Sequence, residues 1–210
     1  MFVKICGITR LEDALAAVEC GADALGFVFW PDSPRWIDPL RAQGIVAALP
    51  RPVMPVGVFV NQEVEDVNEI AAVARLGAIQ LHGDETADYA ARMSRPVLKA
   101  MNVAAASNAA IDGTWPSPAM ILLDAHDPVK RGGTGQTIDW TAAAAVAARR
   151  RVILAGGLSP ENVAVAIDQV HPYGIDVSSG VERAPGVKDH GRLRALFEAI
   201  YDYSDDPARS

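Results

Sequence analysis

Short apolar runs recur along the chain and alternate with segments whose apolar residues follow a helical period. Several runs are continuously apolar, which is typical of strands that are covered on both faces. They predict eight strands, at 2–6, 24–29, 53–60, 78–81, 97–101, 120–124, 152–155 and 174–178. Helices are predicted between and after them, at 11–20, 39–49, 64–75, 86–93, 140–149, 160–170 and 192–201.

The alternation of strands and helices predicts a parallel barrel. Eight strands in 210 residues give roughly 26 residues per unit, which suits parallel strands joined by crossover helices. We therefore expect an α/β fold, a (β/α)8 TIM barrel, as a single domain over residues 1–210 with a frayed tail at 203–210. Only segment 103–117 has a weak helical pattern. An open doubly wound sheet is the alternative, although no Gly-x-Gly-x-x-Gly fingerprint follows the first strand.

Composition and charge narrow the classes of partner. Apolar residues make up 50% of the chain and the net charge is −7, with no long basic run, which argues against nucleic acid or an anionic membrane surface as partner. The two cysteines are too few for a disulfide framework or a thiolate metal site and suit a reducing compartment. No segment resembles a membrane span or a signal peptide, so we expect a cytoplasmic protein with no membrane partner.

Glycine and serine residues follow the last two predicted strands. In such a barrel the working face lies at the C-terminal ends of the strands. Gly156 and Gly157 follow the seventh strand, and Ser179 and Gly180 follow the eighth, where backbone N–H groups can bind an anion. Each pair could be an ordinary glycine turn. Their joint position favours a phosphate site, so a small phosphorylated molecule is the expected ligand.

The same two loops carry signals for helix starts. Ser159 is predicted to cap a helix whose first residue is Pro160, because serine favours the N-cap and proline the first helical position. The run 178–182 is predicted to open a short extra helix after the eighth strand. Both helices would then begin at the working face.

Two strand ends carry groups that can move protons. Cys6 ends the first strand and shares a face with Phe2 and Lys4 by the period of two. Asp124 ends a strongly apolar strand, where partial desolvation favours the protonated carboxyl group and suits a general acid. The alternatives are a buried structural cysteine and an aspartate bonded to loop amides.

Three further side chains are candidates for substrate contacts. Arg35 lies in a proline-stiffened loop, where its fork could bind a carboxylate or stay solvated. His82 ends the fourth strand and could donate to a ligand or bond a loop. Asp176, in the eighth strand, could face the barrel mouth or pair with Lys4. The glycine-rich loop 130–136 is a candidate mobile or tightly turned segment over the site.

Six groups of motifs occur in a fixed order along nearly the whole chain, and segment 103–117 lies outside them. They are Val3-Lys4-Ile5-Cys6-Gly7-Ile8-Thr9, Ser33-Pro34-Arg35, Gln80-Leu81-His82-Gly83, Leu123-Asp124 with Gly132-Gly133-Thr134-Gly135, Leu154-Ala155-Gly156-Gly157-Leu158 with Pro160-Glu161-Asn162-Val163, and Asp176-Val177-Ser178-Ser179-Gly180-Val181-Glu182 with Pro185-Gly186-Val187-Lys188-Asp189. In this order they resemble the phosphoribosylanthranilate isomerase family of tryptophan biosynthesis.

The resemblance implies an Amadori rearrangement of N-(5-phosphoribosyl)anthranilate to 1-(2-carboxyphenylamino)-1-deoxyribulose 5-phosphate, without a metal or organic cofactor. It implies that Asp124 is the general acid, which protonates the ribose ring oxygen. It implies that Cys6 is the general base, which removes the C2′ proton, and that Arg35 recognises the anthranilate carboxylate.

Other activities on the same barrel are the alternatives. A metal-assisted sugar-phosphate epimerase would use as ligands His82, Asp124, His126 and Asp176. A dual-substrate isomerase that also serves histidine biosynthesis would carry a carboxylate where this chain has Cys6. A third class is a barrel that binds a phosphorylated ligand without catalysis. The sequence does not indicate an oligomeric state.

Overall fold

The computed structural model describes residues 1–49, 53–107, 114–115, 120–124 and 138–204. Eight parallel strands close into a barrel in chain order: β1 (Phe2–Cys6), β2 (Ala24–Val28), β3 (Met54–Phe59), β4 (Ala78–Leu81), β5 (Val97–Met101), β6 (Met120–Leu123), β7 (Val152–Leu154) and β8 (Gly174–Val177). Because β1 pairs with β8, the predicted barrel is confirmed and the open sheet is wrong.

Helices cover the outside of the barrel, as parallel strands require. In the described ranges they are α1 (Leu11–Cys20), α2 (Pro39–Ala47), α3 (Val64–Val73), α4 (Ala87–Ala90), α5 (Val103–Ser107), α6 (Trp140–Ala147), α7 (Val163–Val170) and α8 (His190–Ser204). A two-stranded antiparallel ribbon of β9 (Glu182–Ala184) and β10 (Val187–Lys188) lies between β8 and α8.

The strands bury both of their faces. One face fills the barrel interior with a small apolar cluster, which includes Ala24, Val56, Ala78, Leu98, Leu122 and Ile153. The opposite face packs against the helices and contributes Leu25, Phe27 and Phe59, none of which has measurable exposure. Burial on two sides explains why the strand sequences are continuously apolar.

The helix predicted after the seventh strand begins later than its sequence indicates. Helix α7 starts at Val163, so the prediction that Ser159 caps it and Pro160 opens it is wrong. The side chain of Asn162 folds back instead. Its Oδ1 accepts from the Ser159 amide at 2.9 Å, and its Nδ2 donates to the Gly157 carbonyl at 2.9 Å. These bonds hold residues 157–162 as a turn.

Other boundaries differ less. The extra helix predicted after the eighth strand forms as a single 3-10 turn, Ser179–Val181. Part of the weak segment 103–117 is helical, namely α5. The glycine-rich loop 130–136, the candidate ligand His126 and the end of the predicted tail at 205–210 lie outside the described residues. In the described ranges, no helix is long and apolar enough to cross a membrane.

Two glycines allow a matched test of the packing. A Cβ at Gly57 would lie 2.4 Å from Leu76 Cδ1 and 2.7 Å from Phe59 Cε2, both in the core, whereas a Cβ at Gly44 in α2 would meet nothing within 4 Å. We expect Gly57→Ala to lower the free energy of unfolding by about 1–3 kcal/mol through overpacking. Gly44→Ala should raise it by up to about 1 kcal/mol through helix propensity. Urea denaturation checks both values, and equal effects would contradict this packing.

Candidate active site

A cavity of about 440 Å³ opens at the C-terminal ends of the strands. It brings together eight of the nine residues predicted for the site: Cys6, Arg35, His82, Asp124, Gly156, Gly157, Asp176 and Ser179. Gly180 does not line the cavity. An apolar wall of Val28, Trp30 and Val58 completes it beside the thiol, and sequence reasoning missed this wall.

A buried ion pair lies beneath the thiol, where β1 meets β8. Lys4 and Asp176 are register partners across this seam, and Lys4 Nζ lies 2.9 Å from Asp176 Oδ1. Gly26 on β2 leaves room above the pair, because a Cβ there would lie 2.7 Å from Cys6 Sγ and 3.1 Å from Lys4 Nζ. Asp176 therefore does both things predicted for it, since it pairs with Lys4 and lines the cavity.

The charges around Cys6 oppose one another. Burial raises the pKa of the Cys6 thiol above its ordinary value, and Asp176 raises it further, whereas Lys4 and Lys188 lower it without reversing the shift. For Lys4, burial lowers the pKa, but Asp176 and Cys6 outweigh burial and leave it raised. Cys6 is consequently a thiol at rest, with a permanent cation beside it.

His82 contacts Asp124 directly. His82 Nε2 lies 3.1 Å from Asp124 Oδ2, and both side chains are buried. On the other side of the ring, Gln80 Nε2 lies 2.9 Å from His82 Nδ1. Because the Gln80 amide donates to Nδ1, the ring proton sits on Nε2 and points at Asp124. The sequence signal for this contact was the shared strand face of Gln80 and His82, two residues apart.

Arg35 is not fully solvated, as one alternative had it, but half-buried and paired with Glu182. Its Nε and Nη2 donate to the two carboxylate oxygens of Glu182, at 3.0 Å and 2.7 Å for the closest contacts. Glu182 also accepts from Lys188 Nζ at 2.8 Å. Sequence reasoning placed Glu182 and Lys188 in motifs but gave them no role.

The two glycine-rich loops meet at one side of the cavity. Gly156 and Gly157 have φ angles of 82° and 65°, a region that favours glycine. A Cβ at Gly180 would lie 1.9 Å from the Leu158 carbonyl oxygen, so only glycine allows the two loops to approach this closely. Within the described residues, the amides of Gly156, Gly157 and Ser179 have no acceptor. This geometry suits an anion.

Comparisons with known proteins show the family of this chain. The family model described as N-(5'phosphoribosyl)anthranilate (PRA) isomerase matches residues 3–199. The chain belongs to the phosphoribosylanthranilate isomerase family. A relative of that name from Geobacter metallireducens is 52% identical over 93% of this chain and 96% of its own length. Another, from Pelobacter propionicus, is 49% identical over 99% of both chains.

Solved structures of this family share the fold. The phosphoribosyl anthranilate isomerase of Thermus thermophilus superposes with a TM-score of 0.88 at 44% identity, over 96% of this chain and 99% of that one. A second, at 41% identity and a TM-score of 0.82 over 96% of this chain and 99% of its own, was solved in complex with reduced 1-(o-carboxyphenylamino)-1-deoxyribulose 5-phosphate. The resemblance inferred from the motifs is therefore confirmed.

The ligand set of the alternative metal-dependent epimerase is only partly described. His82 and Asp124 contact each other, while His126 lies outside the described residues. In the described ranges, no three His, Cys, Asp or Glu side chains are grouped so that they could hold a metal ion. The chemistry available there is that of a thiol, carboxyl groups and an imidazole.

The charges around Cys6 predict opposite shifts in two isosteric variants. In a Cys20→Ser background, Cys6 is the only thiol, and its ionisation can be followed by the ultraviolet absorbance of the thiolate as the pH is raised. The pKa measured in this way should lie above the ordinary value of 9.0. Lys4→Met removes the nearest cation and should raise the pKa of Cys6 further, whereas Asp176→Asn removes an anion and should lower it. The denatured protein, titrated in the same way, supplies the unperturbed reference. Shifts of the same sign in both variants would contradict this electrostatic arrangement.

Proposed function

We propose that this protein catalyses the Amadori rearrangement of N-(5'-phosphoribosyl)anthranilate to 1-(2-carboxyphenylamino)-1-deoxyribulose 5-phosphate, a step of tryptophan biosynthesis. The observation that carries this proposal is that Cys6, Asp124, Arg35 and the two glycine-rich loops line one cavity. Family membership supports the reaction. The ligand of the related structure, a phosphorylated carboxyphenylamino sugar, supports a substrate with both anionic groups.

The substrate carries an anion at each end. The phosphate binds the backbone amides of Gly156, Gly157 and Ser179, with Gly180 holding the two loops together. The anthranilate carboxylate binds Arg35, and the aromatic ring lies against the apolar wall at Trp30. The sugar then spans the cavity between the thiol and the carboxyl group.

Asp124 acts first, as a general acid. It gives its proton to the ribose ring oxygen, the C1′–O bond breaks, and the nitrogen lone pair forms the Schiff base. His82 donates a hydrogen bond to one carboxylate oxygen of Asp124 at 3.1 Å. This bond orients Asp124 and stabilises the carboxylate that remains after proton transfer.

Cys6 acts second, as a general base. Its thiolate takes the C2′ proton, the C–H electron pair forms the C1′–C2′ double bond, and the iminium nitrogen receives the displaced pair. The resulting enolamine tautomerises to the ketone. Burial makes the thiolate scarce but strongly basic, and the Lys4 ammonium beside it stabilises the charged form.

The remaining features are proposed on the sequence and the family. We propose that the reaction uses no metal or organic cofactor, and that residues 1–210 form one domain. The cytoplasmic location stays a prediction. Nucleic acid is not an expected partner of a chain with a net charge of −7.

Substitution of the two proton-transfer groups tests the proposal. Phosphoribosylanthranilate is generated in place, and its conversion is followed by the loss of anthranilate fluorescence. Cys6→Ser and Asp124→Asn should each lower kcat by about 10²–10⁴-fold, because each removes one proton-transfer group. The reduced product analogue should bind both variants about as tightly as it binds the wild type, since neither substitution removes an anion contact.

Cys20→Ser is the matched control, because Cys20 lies at the end of α1 outside the cavity. It should keep full turnover. Wild-type turnover in Cys6→Ser or Asp124→Asn would contradict the assigned role of that residue. Binding of the analogue by a wild-type protein without turnover would support the non-catalytic alternative.

A further inference from the structure

Three largely buried charged side chains lie in contact beside the cavity: Arg35, Glu182 and Lys188. The exposed fractions of the three side chains are 12%, 5% and 0%. The proposed mechanism uses only Arg35. Burying charges costs free energy, and apolar residues in their place are often as stabilising, so buried ion pairs are weak evidence for a role in stability alone.

Lys188 fixes one end of this chain to the barrel. Its Nζ donates to the Cys6 carbonyl at 2.5 Å and to the Ser178 carbonyl at 3.2 Å, at the ends of β1 and β8. Its backbone N–H donates to the buried Asp13 of α1 at 3.0 Å. Lys188 is therefore held by two strand ends and a helix. The third hydrogen bond of its Nζ is donated to Glu182 at 2.8 Å.

Glu182 links the fixed Lys188 ammonium to the guanidinium of Arg35. It takes up one edge of the guanidinium, since both Nε and Nη2 donate to it. Nη1 has no hydrogen-bond partner among the residues that the structure describes. The stem of Arg35 lies over Gly7, where a Cβ would meet Arg35 Cδ at 2.6 Å. The other edge of the fork is thus left for a ligand beside Cys6.

The two cationic side chains favour the ionised form of Glu182. Burial alone would raise the pKa of Glu182, but Arg35 and Lys188 outweigh burial and hold it below its ordinary value. Burial also lowers the pKa of Lys188 below its ordinary value, although Glu182 opposes that shift. With Lys188 protonated, two cations face one carboxylate and leave a net positive charge at the cavity edge, on a protein whose net charge is −7. A ligand anion meets that charge without displacing Glu182.

We propose that Glu182 and Lys188 are positioning residues that aim Arg35 at the ligand carboxylate and so determine selectivity for carboxylated ligands. This inference rests on the proposed function. It differs from two simpler explanations, which are that the pair only stabilises the fold, or that Glu182 fills the ligand's place and leaves when the ligand binds.

The test compares two substrates that differ in one group. These are phosphoribosylanthranilate and phosphoribosylaniline, which lacks the carboxylate, and the quantity measured is the ratio of their kcat/KM values. Glu182→Gln should lower this ratio by about tenfold or more, the loss expected when a charge-assisted contact is misaligned. The loss should appear mainly as a raised KM for the anthranilate substrate, with the values for the aniline substrate almost unchanged.

Matched variants separate positioning from folding. Glu65→Gln makes the same change in the exposed Arg92–Glu65 pair, whose ionic contact is 2.9 Å, and should leave the ratio unchanged. Lys188→Met should lower the ratio as Glu182→Gln does. Arg35→Met removes the carboxylate contact altogether and should give the lowest ratio of kcat/KM values. The double variant Arg35→Met, Glu182→Gln should have the same ratio. Equal losses for both substrates in Glu182→Gln would overturn the proposal.

A measurement on the wild-type protein tests the proposal even if the variants fail to fold. The ¹⁵N resonance of Arg35 Nε, assigned with Arg35→Lys, should stay in its hydrogen-bonded position when the reduced product analogue binds, because Glu182 keeps its contact. A shift to the position of a released guanidinium would overturn the proposal.

Failure of the proposed function would look different. If the wild type turns over neither substrate, the same ratio is measured as Kd values for the reduced product analogues with and without the carboxylate. A tenfold lower ratio in Glu182→Gln then supports positioning, and an unchanged ratio contradicts it.

Discussion

Closure of the barrel places a lysine against an aspartate, and the rest of the site depends on that contact. Lys4 on β1 and Asp176 on β8 are register partners, and their charged groups lie 2.9 Å apart in the interior. Either charge alone would be strongly destabilising in such a place. Together they lie beneath the thiol, and Asp176 also lines the cavity. Cys6 and Ser178 follow on the same two strands, so the seam that closes the barrel also sets the position of the thiol.

The buried charges divide the cavity into regions with different tasks. In the proposed mechanism, Lys4 stabilises the Cys6 thiolate, His82 orients Asp124, and Arg35 supplies a cation at the cavity edge. The glycine-rich loops contribute only backbone amides. In the proposed mechanism, this concentration of cations at one cavity allows an acidic protein to bind a substrate with two anionic groups.

The fold could be predicted because its signals are local. A continuously apolar strand followed by an amphipathic helix indicates a buried parallel strand, and eight repeats of this pattern leave few topologies. The predicted start of α7 was wrong because the Asn162 side chain forms hydrogen bonds that close a turn, and this turn replaces the predicted Ser159 cap. Propensity scales score residues one at a time and do not compare these two hydrogen-bonding patterns.

The candidate site could be predicted only in part. Cys6 and Asp124 stand out because each ends an apolar strand. Arg35 and Glu182 are 147 residues apart, and nothing in the local pattern of either residue indicates the other. The ribbon that carries Lys188 is too short to give a strand signal. Contacts of this kind depend on tertiary structure, and the sequence alone supplied only the motifs that contain these residues.

The assignment of Cys6 as the general base and Asp124 as the general acid is tested most directly by the kinetic isotope effect on kcat with substrate deuterated at C2′. In Cys6→Ser, proton abstraction becomes the slowest step, so a large primary isotope effect on kcat is predicted. In Asp124→Asn, ring opening becomes the slowest step, so the effect should be suppressed. Isotope effects of the same size in both variants would contradict the assignment of base and acid.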